Sequence, residues 1–430
     1  FNSCETSPPN VNENKVDSLE LKVDSLLSLM TLKEKIGQLN QYSIGAEMTG
    51  PNQTSDYSKK RYQQLVNGEV GSVLNLTGAK NTRLVQQQVM DSSRLKIPLI
   101  FAYDVIHGFK TIFPIPLAES CSWDLELMKK TARIAALEAS ASGLQWTFAP
   151  MVDVSRDPRW GRVMEGAGED PFLGSKIAEA RVIGFQGESL ADNSTIAACA
   201  KHFAGYGFVE SGKDYNNVNV GNDLLMNVIL PPFKKASEAN VATFMNAFND
   251  IDGIPASAHR FILRNQLKGD WGFKGVVVSD WNSIGEMVNH RYAPNLKVAA
   301  SQVLEAGSDI DMEASAYINH LAEIVREDPS KEIYVDEAVK RVLRLKFELG
   351  LFDDPFMYSN EERESQLLGA AEHVELSEEM AKNSIVLLKN DDNLLPISHP
   401  QNIAVIGPLA ERFDQQIEIA PIDSIIKNWK

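Results

Sequence analysis

The residues able to do chemistry in this chain stand close behind short apolar runs. Asp104 and His107 follow residues 98–102, and Asp153, Arg156, Asp157, Arg159, Arg162, Glu165, Glu169 and Asp170 follow 147–151. Lys201 and His202 follow 196–200, Asn246 and Asn249 close 241–247, Asp280 and Trp281 follow 275–279, and Asp311 ends 308–312. Carboxylates, Arg, Lys, His and Trp without metal-ligand spacing suit a pocket that grips a neutral polyhydroxylated molecule by hydrogen bonds and covers a ring face with an aromatic. A carboxylate such as Asp280, directly behind a buried strand, is rigidly aimed and can attack an acetal carbon while nearby carboxylates share the developing positive charge. For any one of these residues, solvation of a charged loop is the better account; the argument rests on several strand ends carrying such groups at once. Other chemistries lack their signatures: the chain has no HExxH, no CxxC pair, no GxxxxGK[ST] and no GxSxG. The glycine pairs at 166–168 and 205–207 do not complete GxGxxG and fit turns. Neither His107 nor His202 has a second His at i, i+4, so no metal and no cofactor is expected.

Short apolar runs alternating with longer amphipathic stretches imply βαβ units and a parallel sheet. The expected strands are 38–42, 70–74, 98–102, 147–151, 196–200, 241–247, 275–279 and 308–312, eight in all, the number that closes a barrel. Helical stretches at 125–144, 176–186, 223–239, 261–267 and 297–305 supply the crossovers that parallel strands need. In a (β/α)8 barrel all strand ends meet on one face, where this architecture carries its active sites. The barrel is expected over 31–350, with 1–30 as a tail and the start of the first helix. After the eighth strand, 316–326 and 335–349 read as helices, ending at Gly350. Residues 351–366 are polar and turn-rich and read as a linker. From 367 a helix followed by apolar runs at 384–388 and 403–406 reads as the beginning of an αβ sandwich domain, apparently incomplete.

Lys plus Arg number 42 against 58 Asp plus Glu, a formal charge of −16. That balance argues against a nucleic-acid or anionic-membrane partner. The three cysteines, Cys4, Cys121 and Cys199, form neither a disulfide framework nor a metal knuckle. Cys199 lies in an apolar run and reads as core. Cys4, within Phe-Asn-Ser-Cys and before a polar, Pro-containing stretch, reads either as the lipid-anchored residue of a bacterial lipoprotein or as a chance cysteine in a flexible tail.

Taken together, Asp104-Val105-Ile106-His107-Gly108, Phe148-Ala149-Pro150 with Asp153, Asp157-Pro158-Arg159-Trp160-Gly161-Arg162, Glu165 with Gly168-Glu169-Asp170-Pro171, Lys201-His202-Phe203 and Val278-Ser279-Asp280-Trp281 resemble glycoside hydrolase family 3, in particular its exo-acting β-glucosidases. The likeness runs in order from about residue 32 to 410. It implies a TIM-type (β/α)8 barrel followed by an αβ sandwich, and release of terminal non-reducing β-D-glucosyl residues from oligosaccharides or aryl and alkyl β-glucosides. It implies that Asp280 is the nucleophile of a retaining reaction through a covalent glycosyl ester. Asp104, Arg162, Lys201 and His202 match residues that grip the hydroxyls of the terminal sugar, and Trp281 an aromatic beside it. Arg162 is alternatively a rim ion-pair partner of Glu165 or Asp170. Met245 and Phe248 align with pocket-lining positions and fit plain barrel core equally well. Asp214 falls near a family carboxylate that orients the nucleophile, or is a solvated loop acid.

The segment after Lys201-His202 lacks the His/Asp loop of the family's N-acetylglucosaminidases, which favours a glucoside substrate. The family's acid/base glutamate belongs to the second domain, and neither Glu411 nor Glu418 matches it. Other outcomes left open are a β-xylosidase or β-glucan exohydrolase of the same family, and a catalytically incomplete saccharide-binding barrel. A periplasmic or outer-membrane-anchored location goes with the lipoprotein reading of Cys4.

Overall fold

Side chains that are apolar on both faces of a strand suit a parallel sheet covered by helices, and each of the eight apolar runs between 38 and 312 yields one strand. The computed structural model describes residues 11–44, 55–397, 404 and 406. Its strands are β1 (Asn40–Ser43), β2 (Ser72–Leu74), β3 (Ile100–Tyr103), β4 (Trp146–Thr147), β5 (Cys199–Phe203), β6 (Thr243–Asn246), β7 (Val276–Val278) and β8 (Asp311–Met312). Every pairing between them is parallel, in the order β8-β1-β2-β3-β4 and β5-β6-β7. Bridges Trp146–Ala197 and Met151–Lys201 join β4 to β5, and Val278–Ile310 joins β7 to β8. The sheet is therefore a closed (β/α)8 barrel. Val276, Val277 and Val278 are wholly buried, each contributing about 1.5–3 kcal/mol of burial free energy.

Two strands differ usefully from expectation. The run 147–151 shortens to Trp146–Thr147, because Pro150 has no N–H for a ladder. The run 196–200 moves to Cys199–Phe203, which carries Lys201 and His202 into the strand instead of behind it. A short hairpin, Asp250–Ile251 with Ile254–Pro255, follows β6 and was not among the expected elements, although Asp252-Gly253, both at positive φ, is a two-residue pair that favours such a turn.

Helices between the strands start on the rim where the strands end. Asp124 caps Leu125–Ala141 by accepting from the Leu127 N–H, and Asp170 caps Pro171–Gln186 by accepting from the Leu173 N–H. Asp170, a candidate for chemistry from its position, is thereby committed to structure. Asp311 behaves likewise, accepting from the N–H groups of Ala314 and Tyr317 at the start of Ala316–Glu327.

One compact unit runs to Ser384 and a second begins at Ile385. Helix Ala371–Asn383, read as the opening of the sandwich, belongs to the first unit because the buried Glu138 carboxylate binds it there. One Glu138 oxygen accepts from the Gly369 N–H and contacts His373 Nδ1 at 2.9 Å. The other accepts from the N–H groups of Lys110 and Thr111. Burial opposes the charge of Glu138, but the Thr111, Gly369 and His373 contacts hold its carboxyl below the ordinary range. Residues 384–388, read as a strand, form none, and Ile385 to Leu388 are exposed. A strand needs a ladder partner, and none pairs with this run among the described residues. The other expected strand, 403–406, lies largely outside the described residues, as does Cys4. Among those described, no helix is long and apolar enough to cross a membrane.

Glu138→Ala strands several buried donors at once, so it should lower stability by about 3–5 kcal/mol, read as a fall in the denaturant midpoint; Glu138→Gln should cost less.

Candidate active site

Hydrogen bonds between neighbouring strand ends hold the polar residues in place. Behind β7, the Ser279 N–H donates to the Ile310 carbonyl at 2.8 Å and its hydroxyl accepts from the Met312 N–H at 2.9 Å, which ties the residue before Asp280 to β8. Behind β3, the Val105 N–H donates to Thr147 Oγ1 at 3.1 Å, which fixes the turn that carries Asp104. Behind β4, the Val152 N–H donates to the Lys201 carbonyl at 2.8 Å and brings Asp153 against β5.

Four strand ends thereby converge. Lys201 Nζ lies 2.9 Å from Asp104 Oδ1, and His202 Nε2 lies 3.6 Å from Asp280 Oδ2. The Trp281 N–H donates to Asp280 Oδ1 at 2.6 Å. Arg162 forms a two-bonded ion pair with Glu165, at 2.6 and 2.8 Å. Its guanidinium lies 5.5 Å from the centre of the Tyr206 ring, which meets the His202 ring edge-to-face at 5.2 Å. Asp104, Arg162, Lys201, His202, Asp280 and Trp281 are thus neighbours in one pocket. The ion pair with Glu165, left open from sequence as the alternative use of Arg162, is present within that pocket.

Met245, Asp214 and Phe248 are placed differently. Met245 packs in the apolar core with Trp146, Phe148 and Val278, so its plain-core reading describes its surroundings. Phe248 instead joins the cluster of Met151, Trp160 and Tyr206, against which Trp281 also packs. Asp214 accepts from Trp160 Nε1 at 3.0 Å. Its carboxylate anchors the loop over Trp160, while His202 Nε2 and the Trp281 N–H stand beside Asp280. Several rim candidates serve structure: Asp157 pairs with the exposed Arg159, Arg156 lies over the Phe208 ring, and the Asn249 side-chain amide donates to the Ala204 carbonyl. His107 Nδ1 contacts the Phe113 carbonyl at 2.9 Å.

Two participants had only weak signals in the sequence. Asp153 was visible behind Phe148-Ala149-Pro150 but had no partner until β5 was placed; the His202 N–H donates to its Oδ2 at 2.8 Å, and His202 Nδ1 contacts the same oxygen at 2.9 Å. Tyr206 stood among loop glycines. The loop lies so close to the chain that a side chain at Gly207 would meet the Val154 carbonyl oxygen at 2.2 Å.

The pocket is an electrostatic balance struck out of water. Burial pushes the Asp280 carboxyl up to about 6, against the pull of Arg162 and Lys201 and the Trp281 N–H. Burial works against the Lys201 charge too, yet Asp104 and Glu165 hold its ammonium above the ordinary range. Burial, Arg162 and Lys201 together push His202 far down, so its ring is neutral. A carboxylate aimed from a strand end, two cations that keep it ionised and a bordering aromatic make an arrangement able to hold a polyol and attack it.

Comparison with known proteins agrees with this geometry. Residues 31–345 match the model of the glycosyl hydrolase family 3 N-terminal domain. The chain belongs to glycoside hydrolase family 3. Among its family 3 relatives, a periplasmic β-glucosidase of Salmonella typhimurium is 40% identical over 393 residues, covering 90% of this chain and 50% of the relative. A putative β-xylosidase of Formosa agariphila is 34% identical, covering 96% and 57%. The crystal structure of a β-glucosidase from Listeria innocua in complex with glucose superposes with a TM-score of 0.82 at 41% identity, covering 88% of this chain and 53% of that one. A mutant of the same Listeria enzyme in complex with laminaribiose gives 0.83. The chain thus spans about half the length of the relatives it matches.

Lys201→Met should raise the Asp280 carboxyl above about 6, because it removes one of the two cations that offset burial; carboxyl carbon NMR across a pH titration checks the direction.

Proposed function

We propose that this family 3 barrel carries the nucleophile and the sugar grip of a retaining exo-β-glucosidase. The observation that supports it is the Asp280 carboxylate. Oδ1 is held by the Trp281 N–H, while Oδ2 is buried and has no hydrogen-bond partner among the described residues. An oxygen with no hydrogen bond to break is the better nucleophile. Oδ2 attacks the anomeric carbon, the bond from that carbon to the leaving oxygen breaks, and the leaving oxygen takes a proton from an acid or departs as a stable aryloxide. Water then opens the glycosyl ester with net retention. Lys201 and Arg162 donate to sugar hydroxyls, Asp104 accepts from them, and Trp281 covers one side of the ring.

Glucose is favoured as the terminal sugar by the Salmonella and Listeria relatives, both β-glucosidases by name, the latter crystallised with glucose. The Formosa relative makes xylosides the comparison to run. The name of the Salmonella enzyme likewise supports a periplasmic location.

An aryl β-glucoside with a good leaving group, which needs no acid, tests the reading. Hydrolysis should be faster than on the matching xyloside, and a 2-deoxy-2-fluoro-glucoside should add one sugar mass to the peptide containing Asp280. Asp280→Ala should abolish both, lowering kcat by a factor on the order of 10⁴ or more. Labelling at another residue, or none, would falsify the assignment.

The carboxyl must be ionised to attack. Because burial raises it to about 6, kcat/KM should hold above that pH and fall roughly tenfold per pH unit well below it, as a pH–rate profile on the aryl glucoside would report.

A further inference from the structure

We propose that Asp153 is a positioning residue that holds His202 in its Nδ1–H tautomer, so that Nε2 faces Asp280 Oδ2 as an acceptor and leaves that oxygen free to attack. The inference deepens the proposed glucosidase reading and rests on it for its catalytic meaning.

The argument starts from one oxygen. Asp153 Oδ2 receives the His202 main-chain N–H at 2.8 Å and lies 2.9 Å from His202 Nδ1. A main-chain N–H can only donate, so Oδ2 is already oriented as an acceptor, and the ring nitrogen at the same oxygen is matched when it donates too. Both side chains are almost wholly buried, so no water competes for the contact. The edge-to-face Tyr206 ring restrains the imidazole plane on another side. With the proton on Nδ1, Nε2 carries a lone pair. It stands 3.6 Å from Asp280 Oδ2, longer than a hydrogen bond, as two facing acceptors should.

The opposite tautomer has a definite cost to function. An Nε2–H would close on Oδ2 and occupy the oxygen needed for attack. The third state, imidazolium, would do the same and place a third cation beside the forming oxocarbenium; burial together with Arg162 and Lys201 disfavours it. In the complex, a sugar hydroxyl donating to Nε2 fills the gap between the two acceptors, which makes His202 a reader of hydroxyl-group position.

Asparagine and alanine separate orientation from mere packing. The amide oxygen of Asp153→Asn can accept from both His202 nitrogens, and the main-chain N–H forbids the flipped amide, which would set donor against donor. Asp153→Ala leaves the ring free. Histidine-selective ¹⁵N NMR at pH 8, above the value of about 7 to which burial lifts Asp153, reads the tautomer directly.

In the parent protein and in Asp153→Asn, His202 should show a protonated Nδ1 and a bare Nε2. The rate of 2-fluoro-glucoside labelling should fall on the order of 10²-fold in Asp153→Ala and at most about tenfold in Asp153→Asn. A protonated Nε2 in the parent overturns the inference, as does labelling of Asp153→Ala at the parent rate. If Asp153→Ala fails to fold, the parent spectrum and the Asp153→Asn pair still decide. A parent protein that cleaves no glycoside defeats the glucosidase reading, while its spectrum still decides the tautomer.

Discussion

Keeping a carboxylate ionised where water is nearly excluded is the constraint around which this pocket is arranged. An isolated buried carboxyl takes up a proton rather than bear its charge unsolvated. Asp280 escapes that outcome through Arg162 and Lys201, and each of those cations needs its own counter-charge, Glu165 for the first and Asp104 for the second. The result is a chain of alternating charge running from β3 across β5 to β7. It accounts for the density of acids and bases behind the strands better than catalysis alone, since Glu165 is needed to keep Arg162 in place before any ligand arrives. It also explains the neutral His202: with two cations already present, a third would tip the balance.

Much of this was legible in the sequence, and the reasons are specific. Eight apolar runs separated by helical periodicity are a strong signal because a parallel barrel buries both faces of each strand; Val276 to Val278 shows it plainly. Placing Asp104, Lys201, His202 and Asp280 on one rim then followed from strand ends meeting on one face. Partners were harder. That Asp153 belongs to His202 depends on the lateral bridge between Met151 and Lys201, and lateral register is not written in either segment alone. Asp214 is a similar case: a position near a family carboxylate does not say that the Trp160 indole is what its carboxylate accepts from. The boundary near 350 was read from a turn-rich stretch, which marks an exposed loop without saying whether the next helix packs forward or backward. Glu138 decides that, and a single buried glutamate on a helix otherwise rich in alanine announces no partner.

Charges at the barrel rim divide into two populations. Asp124, Asp170 and Asp311 cap helices, and Glu138 gathers main-chain donors, so the folded backbone neutralises them. Asp104, Asp280 and Glu165 are balanced by side chains that face the cavity. A residue list cannot tell these apart, because Asp170 and Asp311 sit just behind apolar runs as Asp104 and Asp280 do; hydrogen-bond partners can.

The link made by Ser279 bears on how such a protein tolerates drift. Its amide and hydroxyl both join main-chain atoms of the neighbouring strand, at Ile310 and Met312. The pivot beneath the reactive carboxyl is therefore indifferent to which side chains those two positions carry. Substitutions there, and longer or shorter excursions of the chain farther out, leave the aim of that carboxyl unaltered so long as the two backbones stay side by side. One frame can thus be reshaped around its rim for new ligands while its central atom keeps its bearing.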